Sequence, residues 1–138
     1  LIMAARPNER GETPWTMERV LDTFPRLGQR INHDGALLSG GEQQMLSIGR
    51  ALTTNPDLMI LDEATEGLAP LIRDEIWNII RTIKATGIST IIVDKNIDNL
   101  LEVAEKHLLL VKGEVKYSGD SKGLRNNPEL LETHLGVA

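Results

Sequence analysis

The sequence predicts an α/β fold in which parallel strands alternate with crossover helices and an antiparallel edge hairpin follows. Two apolar runs, 58–61 and 88–93, have the length and side chains of strands buried on both faces. A stretch with helical spacing of its apolar residues follows each run. This order is typical of parallel sheets with right-handed crossovers, in which the chemistry lies outside the carboxyl ends of the strands.

The first 35 residues are predicted to form a small helical region that precedes the main α/β core at 36–138. Apolar residues recur at helical spacing from Thr16 to Leu27, until Pro25 disturbs the pattern. We therefore expect a short helix followed by a turn in this region.

The helices and strands of the core are delimited by caps and breakers. Ser39 is the expected N-cap of a helix over Gly40–Leu52, and Pro70 lies in the first turn of the next helix. Asn127-Pro128 is expected to break the tail at 121–135 into two short helical pieces. The remaining predictions are helices over 70–84 and 96–105 and a hairpin that pairs 108–111 with 114–117.

Composition excludes several classes of function. The 138 residues include 15 Lys and Arg against 20 Asp and Glu, and the net charge of −5 argues against nucleic-acid binding through a basic face. The absence of cysteine excludes disulfide scaffolds and thiolate chemistry, and three scattered histidines argue against a zinc site. No apolar run approaches the roughly 20 residues of a transmembrane helix, so we expect no membrane span in this chain.

Two adjacent carboxylates, Asp62 and Glu63, follow the first apolar strand. A strand that delivers a carboxylate to the sheet edge is how nucleotide hydrolases hold Mg²⁺, and a second carboxylate can take the proton of an attacking water. The same pair is also typical of a solvated acidic turn at the end of a strand. Spacing alone leaves both interpretations open.

A second feature is the glycine pair in 38–44, directly before a predicted helix. Backbone amides at a helix N-terminus, together with the helix dipole, form a site for anions, and the Ser39 hydroxyl can donate to a phosphate oxygen. Alternatively, Ser39 only caps the helix and the glycines permit close packing.

Together these segments resemble a known family. Residues 38–43 resemble the LSGGQ signature of ATP-binding-cassette (ABC) proteins, and 58–65 resemble the Walker B strand, in the family's order and separation. Segments 24–27, 41–46 and 66–70 are most similar to the LivF-type ATPase subunits of branched-chain amino-acid importers. The resemblance implies the C-terminal part of the P-loop NTPase (ABC ATPase) fold, with a remnant of the helical signature subdomain at 1–35 and a LivF-like tail.

The resemblance also implies roles for individual residues with ATP and Mg²⁺ as cofactors. Asp62 would hold Mg²⁺ through water, and Glu63 would be the general base for the hydrolytic water. The signature would bind the γ-phosphate of ATP held on a second ABC ATPase subunit in a head-to-tail dimer, and the D-loop would cross that interface. The residues implied in nucleotide binding are Ser39, Gly40, Gly41, Glu42 and Gln43 in the signature, and Gly67 and Leu68 in the D-loop.

The sequence departs from the family pattern at the switch position. Where the family has a histidine after the strand that follows Walker B, this chain has Lys95, within Val93-Asp94-Lys95-Asn96. A lysine could reach a γ-phosphate as a point charge, but it cannot shuttle a proton at neutral pH as histidine does. The alternative is a solvated lysine in a turn.

A larger departure concerns the Walker A loop. No glycine in the 138 residues is followed by lysine, so the motif G-x-x-x-x-G-K-[ST] does not occur. We therefore expect a C-terminal fragment whose parent couples ATP hydrolysis to uptake of branched-chain or related amino acids. Its expected partners are the second ATPase subunit and transmembrane permease subunits at the cytoplasmic face of the membrane.

Two alternatives remain open from the sequence. The chain could be a catalytically silent module that docks on a complete ABC ATPase. It could also belong to an ABC ATPase that works without a transporter, against which the LivF-like segments argue.

Overall fold

A computed structural model describes residues 1–136 of the chain. Contacts divide it into two units, residues 1–93 and the residues from 94 onwards. This division follows backbone contacts, and the subdomain boundary expected between residues 35 and 36 stays a prediction.

The first unit contains four α-helices, two short 3-10 helices (Ile2–Ala4 and Gly35–Leu37) and two strands. Helix α1 (Met17–Thr23) ends two residues before Pro25, and Pro25 then begins a second short helix, α2 (Pro25–Gln29), because its fixed φ and missing N–H suit the first helical position. The prediction of a turn after the first helix is therefore wrong, because α2 forms there. The elements of this unit are α1 (Met17–Thr23), α2 (Pro25–Gln29), α3 (Gly40–Leu52), β1 (Leu58–Asp62), α4 (Pro70–Ala85) and β2 (Ser89–Val93).

Strands β1 and β2 pair in parallel, as predicted, with Ile60 opposite Ile91 and Asp62 opposite Val93. The prediction that these two strands are buried on both faces is wrong. Met59 and Leu61 are buried, whereas Ile60 is 63% exposed and Ile91 is 50% exposed. Side chains alternate between the two faces of a strand, and in the described residues only one face of this pair is covered.

The core of the first unit lies among its helices. Helix α4 contributes one apolar stripe, α1 and α2 contribute Val20 and Leu27, and α3 contributes Met45 and Leu52. The stripe of α4 consists of Ile76, Trp77, Ile79, Ile80 and Ile83.

A buried asparagine joins the N-terminal segment to the end of α3. Asn55 adopts a positive φ of 52°, and its side chain accepts from the Trp15 backbone N–H at 2.6 Å and donates to the Arg6 carbonyl at 2.8 Å. Because these are buried polar groups that need partners, Asn55 fixes two distant backbone segments at one point.

Within residues 94–136, the second unit has three helices and a hairpin. Its strands form a two-stranded antiparallel sheet with a Lys112-Gly113 turn, and the break in the tail at Asn127-Pro128 is confirmed. His107 is buried and lies 2.7 Å from the Ser121 hydroxyl. The elements are α5 (Ile97–Val103), β3 (His107–Val111), β4 (Glu114–Gly119), α6 (Ser121–Arg125) and α7 (Pro128–Leu135).

No helix in residues 1–136 is long and apolar enough to cross a lipid bilayer.

Candidate functional site

The first turn of α3 is closed by reciprocal hydrogen bonds between Ser39 and Glu42. The Glu42 backbone N–H donates to Ser39 Oγ at 3.3 Å, and the Ser39 backbone N–H donates to Glu42 Oε2 at 2.9 Å. This is a capping box, which satisfies two backbone donors that the helix itself leaves unpaired. The predicted N-cap at Ser39 is thereby confirmed.

Glu42 is the charged member of this turn, and its side chain is only 12% exposed. The Ser39 amide that donates to its carboxylate holds the pKa of Glu42 below its ordinary value, against an opposing effect of burial. Arg30, whose Nε lies 3.5 Å from Glu42 Oε1, lowers that pKa further. At neutral pH, Glu42 is therefore ionised, and the positive charge of Arg30 offsets its negative charge.

The two signature glycines have different surroundings. A Cβ at Gly41 would lie 2.5 Å from Cγ2 of Ile72 on α4, whereas a Cβ at Gly40 would meet only Leu68 Cδ2, at 4.0 Å. Gly41 is buried and Gly40 is exposed. Close packing therefore accounts for the glycine at 41 but not for the one at 40.

Gln43 lies on the solvent side of the same turn. Its side-chain amide Nε2 donates to the Leu38 carbonyl at 3.0 Å, which ties the residue preceding the cap to the helix. The exposed backbone from Ser39 to Gly40, beside Gln43, is thus held in one conformation at the N-terminus of α3.

Asp62 and Glu63 lie at the carboxyl edge of the parallel pair. Both are exposed, and the Glu63 backbone N–H donates to the Val93 carbonyl at 2.7 Å. Glu63 has a positive φ of 49°, a conformation that is uncommon for residues other than glycine. Such backbone outliers persist where the surrounding structure enforces them and are concentrated at functional sites.

The segment that follows turns the chain from the strand into α4. Ala64 and Thr65 are buried, and the Glu66 and Leu68 amides donate to the carbonyls of Glu63 and Thr65. Gly67 has a φ of 71°, which glycine adopts without steric cost, and it is exposed. Leu68, next to it, is the residue that approaches Gly40. The structure therefore places Leu68 beside the start of α3.

Lys95 lies in a bend of the second unit, two residues beyond the end of β2, and is exposed. The Asp94 carboxylate accepts from the Asn96 backbone N–H at 2.9 Å, and the Asn96 side chain caps α5. The bend is thus a local turn into α5.

The carboxylates of Asp62 and Glu63 fit a magnesium ion that takes its other ligands from a nucleotide and from water. No cluster of three or more His, Asp or Glu side chains in residues 1–136 could hold a metal ion by itself. Mg²⁺ is usually bound through one or two carboxylates together with waters and substrate phosphates, so Asp62 suits it as a single protein ligand.

Two arginines that the sequence analysis did not single out hold α2 in place. Arg26 forms a bidentate pair with Glu75 on α4, with Nε and Nη2 at 2.7 and 2.8 Å from its two oxygens. Arg30 reaches Glu42 on α3. Arg26 and Glu75 are 49 residues apart, and no local spacing signals such a pair.

Comparison with known proteins finds relatives of this sequence. Residues 3–66 match the family model described as ABC transporter. The chain is 38% identical over 120 residues to the high-affinity branched-chain amino acid transport ATP-binding protein BraG of Pseudomonas aeruginosa, covering 87% of this chain and 52% of the relative. The chain thus spans about half the length of this curated relative.

Solved structures give the same result. The ATP-binding cassette MJ1267 of an ABC transporter superposes with a TM-score of 0.73 at 26% identity, over 88% of this chain and 49% of that one. The ATP-binding cassette MJ0796, in a dimeric post-hydrolysis state bound to ADP and Pi, superposes with a TM-score of 0.65 at 26% identity, over 75% and 45% of the two chains. Residues 3–66 are accordingly similar to the ABC transporter family, and the chain has part of the fold of an ABC transporter ATP-binding cassette.

Proposed function

We propose that this chain supplies the signature and Walker B segments of an ATP-hydrolysing subunit that drives a branched-chain amino-acid importer. The observation that carries the proposal is the geometry at the end of β1. There Asp62 and Glu63 are exposed at the carboxyl edge of a parallel strand, and Glu63 is held at a positive φ. In parallel α/β sheets this edge is where nucleotide chemistry takes place.

Within this proposal, the two carboxylates have separate tasks. Asp62 binds Mg²⁺ through water, and the ion supplies electrostatic stabilisation of the phosphates. Glu63 accepts the proton of the attacking water. Its backbone bond to Val93 restricts where the carboxylate is presented, which supports a positioned base rather than a mobile surface acid.

The N-terminus of α3 binds the γ-phosphate of ATP that is held by a second ABC ATPase subunit. Gly40 is exposed and no close packing requires a glycine there, which leaves room for a phosphate to approach the backbone. Gly67 and Leu68 contribute the D-loop contact across the same interface. Lys95, which is exposed, provides at most a point charge toward the nucleotide.

We further propose that sequence preceding these residues in the intact subunit supplies the Walker A loop, and that the subunit works beneath transmembrane permease subunits at the cytoplasmic face of the membrane. The name of the Pseudomonas relative supports branched-chain amino acids as the transported class. The dimeric MJ0796 structure supports pairing of two such subunits.

The decisive experiment uses the complete subunit that contains these residues and compares Glu63→Gln with Glu129→Gln. Glu129 is an exposed residue in the first turn of α7, so its change removes the same charge outside the proposed site. We expect Glu63→Gln to bind ATP with hydrolysis reduced about 100-fold or more, within the range for loss of a general base, and Glu129→Gln to hydrolyse normally.

Normal turnover by Glu63→Gln would contradict the assignment of the general base. If the complete subunit neither binds nor hydrolyses ATP, the proposed ATPase function fails and a docking module becomes the better account.

A further inference from the structure

Glu42 creates an electrostatic problem at the end of α3 that is proposed to bind phosphate. A carboxylate in the first turn stabilises a helix, since it faces the positive end of the helix dipole. The same charge repels a phosphate that approaches the first turn. A site for anions that contains Glu42 therefore needs a compensating cation close to it.

The structure contains such a cation on a different element. One carboxylate oxygen of Glu42, Oε2, accepts from the Ser39 amide at 2.9 Å, and the other, Oε1, lies 3.5 Å from Arg30 Nε. Arg30 follows α2 as its C-cap residue, and its side chain is 50% exposed. The half-exposed guanidinium thus reaches from the end of α2 to the carboxylate in the first turn of α3.

The capping box also determines which donors face a phosphate. The Ser39 amide is engaged by Glu42, Ser39 Oγ accepts from the Glu42 N–H, and the Ser39 side chain also hydrogen-bonds the Glu42 carboxylate. The amides of Gly40 and Gly41 belong to the first helical turn, where a helix offers no acceptor of its own. These amides are neutral, so the charges nearest this end are Glu42, its ion-pair partner Arg30, and Arg26, which pairs with Glu75 and also acts on Glu42.

We infer that Arg30 is a positioning and charge-balancing residue of the signature, which holds the Glu42 carboxylate in the capping box and cancels its charge so that nucleotide phosphate can bind. This inference rests on the proposed function, in which Ser39 and its neighbouring amides receive the γ-phosphate. Arg30 itself acts through Glu42.

The test is a set of charge variants in the complete subunit, assembled in its transporter complex, with the KM for ATP as the readout. Arg30→Gln removes the ion-pair partner of Glu42, Glu42→Gln removes that of Arg30, and the double variant restores the net charge of the pair. Glutamine at position 42 still offers an oxygen to the Ser39 amide.

We expect the KM for ATP to rise about two- to fivefold in Arg30→Gln, to fall by a similar factor in Glu42→Gln, and to return to the wild-type value in the double variant, since exposed ion pairs contribute on this scale. These differences should shrink at high salt, because screening weakens charge effects between exposed groups. Arg50→Gln, an exposed residue in the last turn of α3, is the matched control and should leave the KM unchanged.

A double variant that stays as impaired as Arg30→Gln would overturn the charge-balance explanation. The explanation would also be overturned if Arg30→Gln had the same KM for ATP as Arg50→Gln. Ser39→Ala separates this failure from that of the proposed function, because a normal KM for ATP in Ser39→Ala would contradict the proposed phosphate site itself.

Discussion

Gly41→Ala tests the packing of α3 against α4 at the start of the signature. An alanine Cβ there would lie 2.5 Å from Cγ2 of Ile72, where ordinary contacts begin at 3.4 Å. Cγ2 is attached directly to the branched Cβ of Ile72, and β-branched side chains have few alternative rotamers. Relief therefore requires that α3 and α4 move apart.

The expected magnitude follows from two opposing effects. Overpacking of this kind costs about 1–3 kcal/mol, while alanine gains up to about 1 kcal/mol over glycine in a helix. After subtraction of this gain, we expect Gly41→Ala to lower the free energy of unfolding by up to about 2 kcal/mol. Gly40→Ala gains the helix propensity without a clash, since its Cβ would meet only Leu68 Cδ2 at 4.0 Å, and should be neutral or slightly stabilising.

Urea unfolding followed by tryptophan fluorescence measures the difference, because Trp15 and Trp77 are both buried in the first unit. Ile72→Ala removes the opposing Cγ2, so Gly41→Ala should cost much less in that background. Equal stability of Gly41→Ala and Gly40→Ala would refute the packing explanation, and so would an unchanged cost in the Ile72→Ala background.

Two further predictions concern the Arg26–Glu75 pair and the second unit. Arg26, by hydrogen bonding first and by its charge second, holds the pKa of Glu75 below its ordinary 4.5, so this carboxylate stabilises the fold above that pH and the contribution is lost on acidification. Urea unfolding between about pH 6 and about pH 3.5 should therefore show a smaller loss of stability in Glu75→Gln than in wild type, and equal losses would contradict this. In the second unit, a Cβ at Gly123 would collide with the Tyr117 hydroxyl, which donates to the Asp120 carbonyl at 2.8 Å. Gly123→Ala should cost about 1–3 kcal/mol by chemical unfolding followed by circular dichroism, and equal costs in wild-type and Tyr117→Phe backgrounds would rule this clash out.

The elements that the sequence predicts correctly are those with local signals. Helix α3 spans Gly40–Leu52 with its cap at Ser39, as expected, because a capping box is formed by residues three apart. Strands β1 and β2 follow from short β-rich apolar runs between breakers. The expected turn at Pro25 is wrong because proline is equally suited to beginning a helix, and periodicity does not distinguish the two.

The candidate site, too, can be predicted from the sequence only in part. Its residue types and their order, from the signature to Asp62 and Glu63, are readable in sequence because the motifs are contiguous. The distinction between Gly40 and Gly41 is not readable, since it depends on Ile72 and Leu68, which approach them from a distant part of the chain. The exposed face of β1 and β2 is not readable from the sequence either. Side chains alternate between the two faces of a strand, but this alternation does not tell which face is covered.

By itself, then, the sequence determined the α/β order, the helix cap and the family resemblance, all of which depend on residues close together in the chain. Only the tertiary structure decided that Gly41 is needed for packing, that Glu63 is held at a positive φ, and that Arg30 faces Glu42. Each of these depends on how elements approach one another in space, and the free energy of such contacts is set by geometry that sequence spacing does not encode.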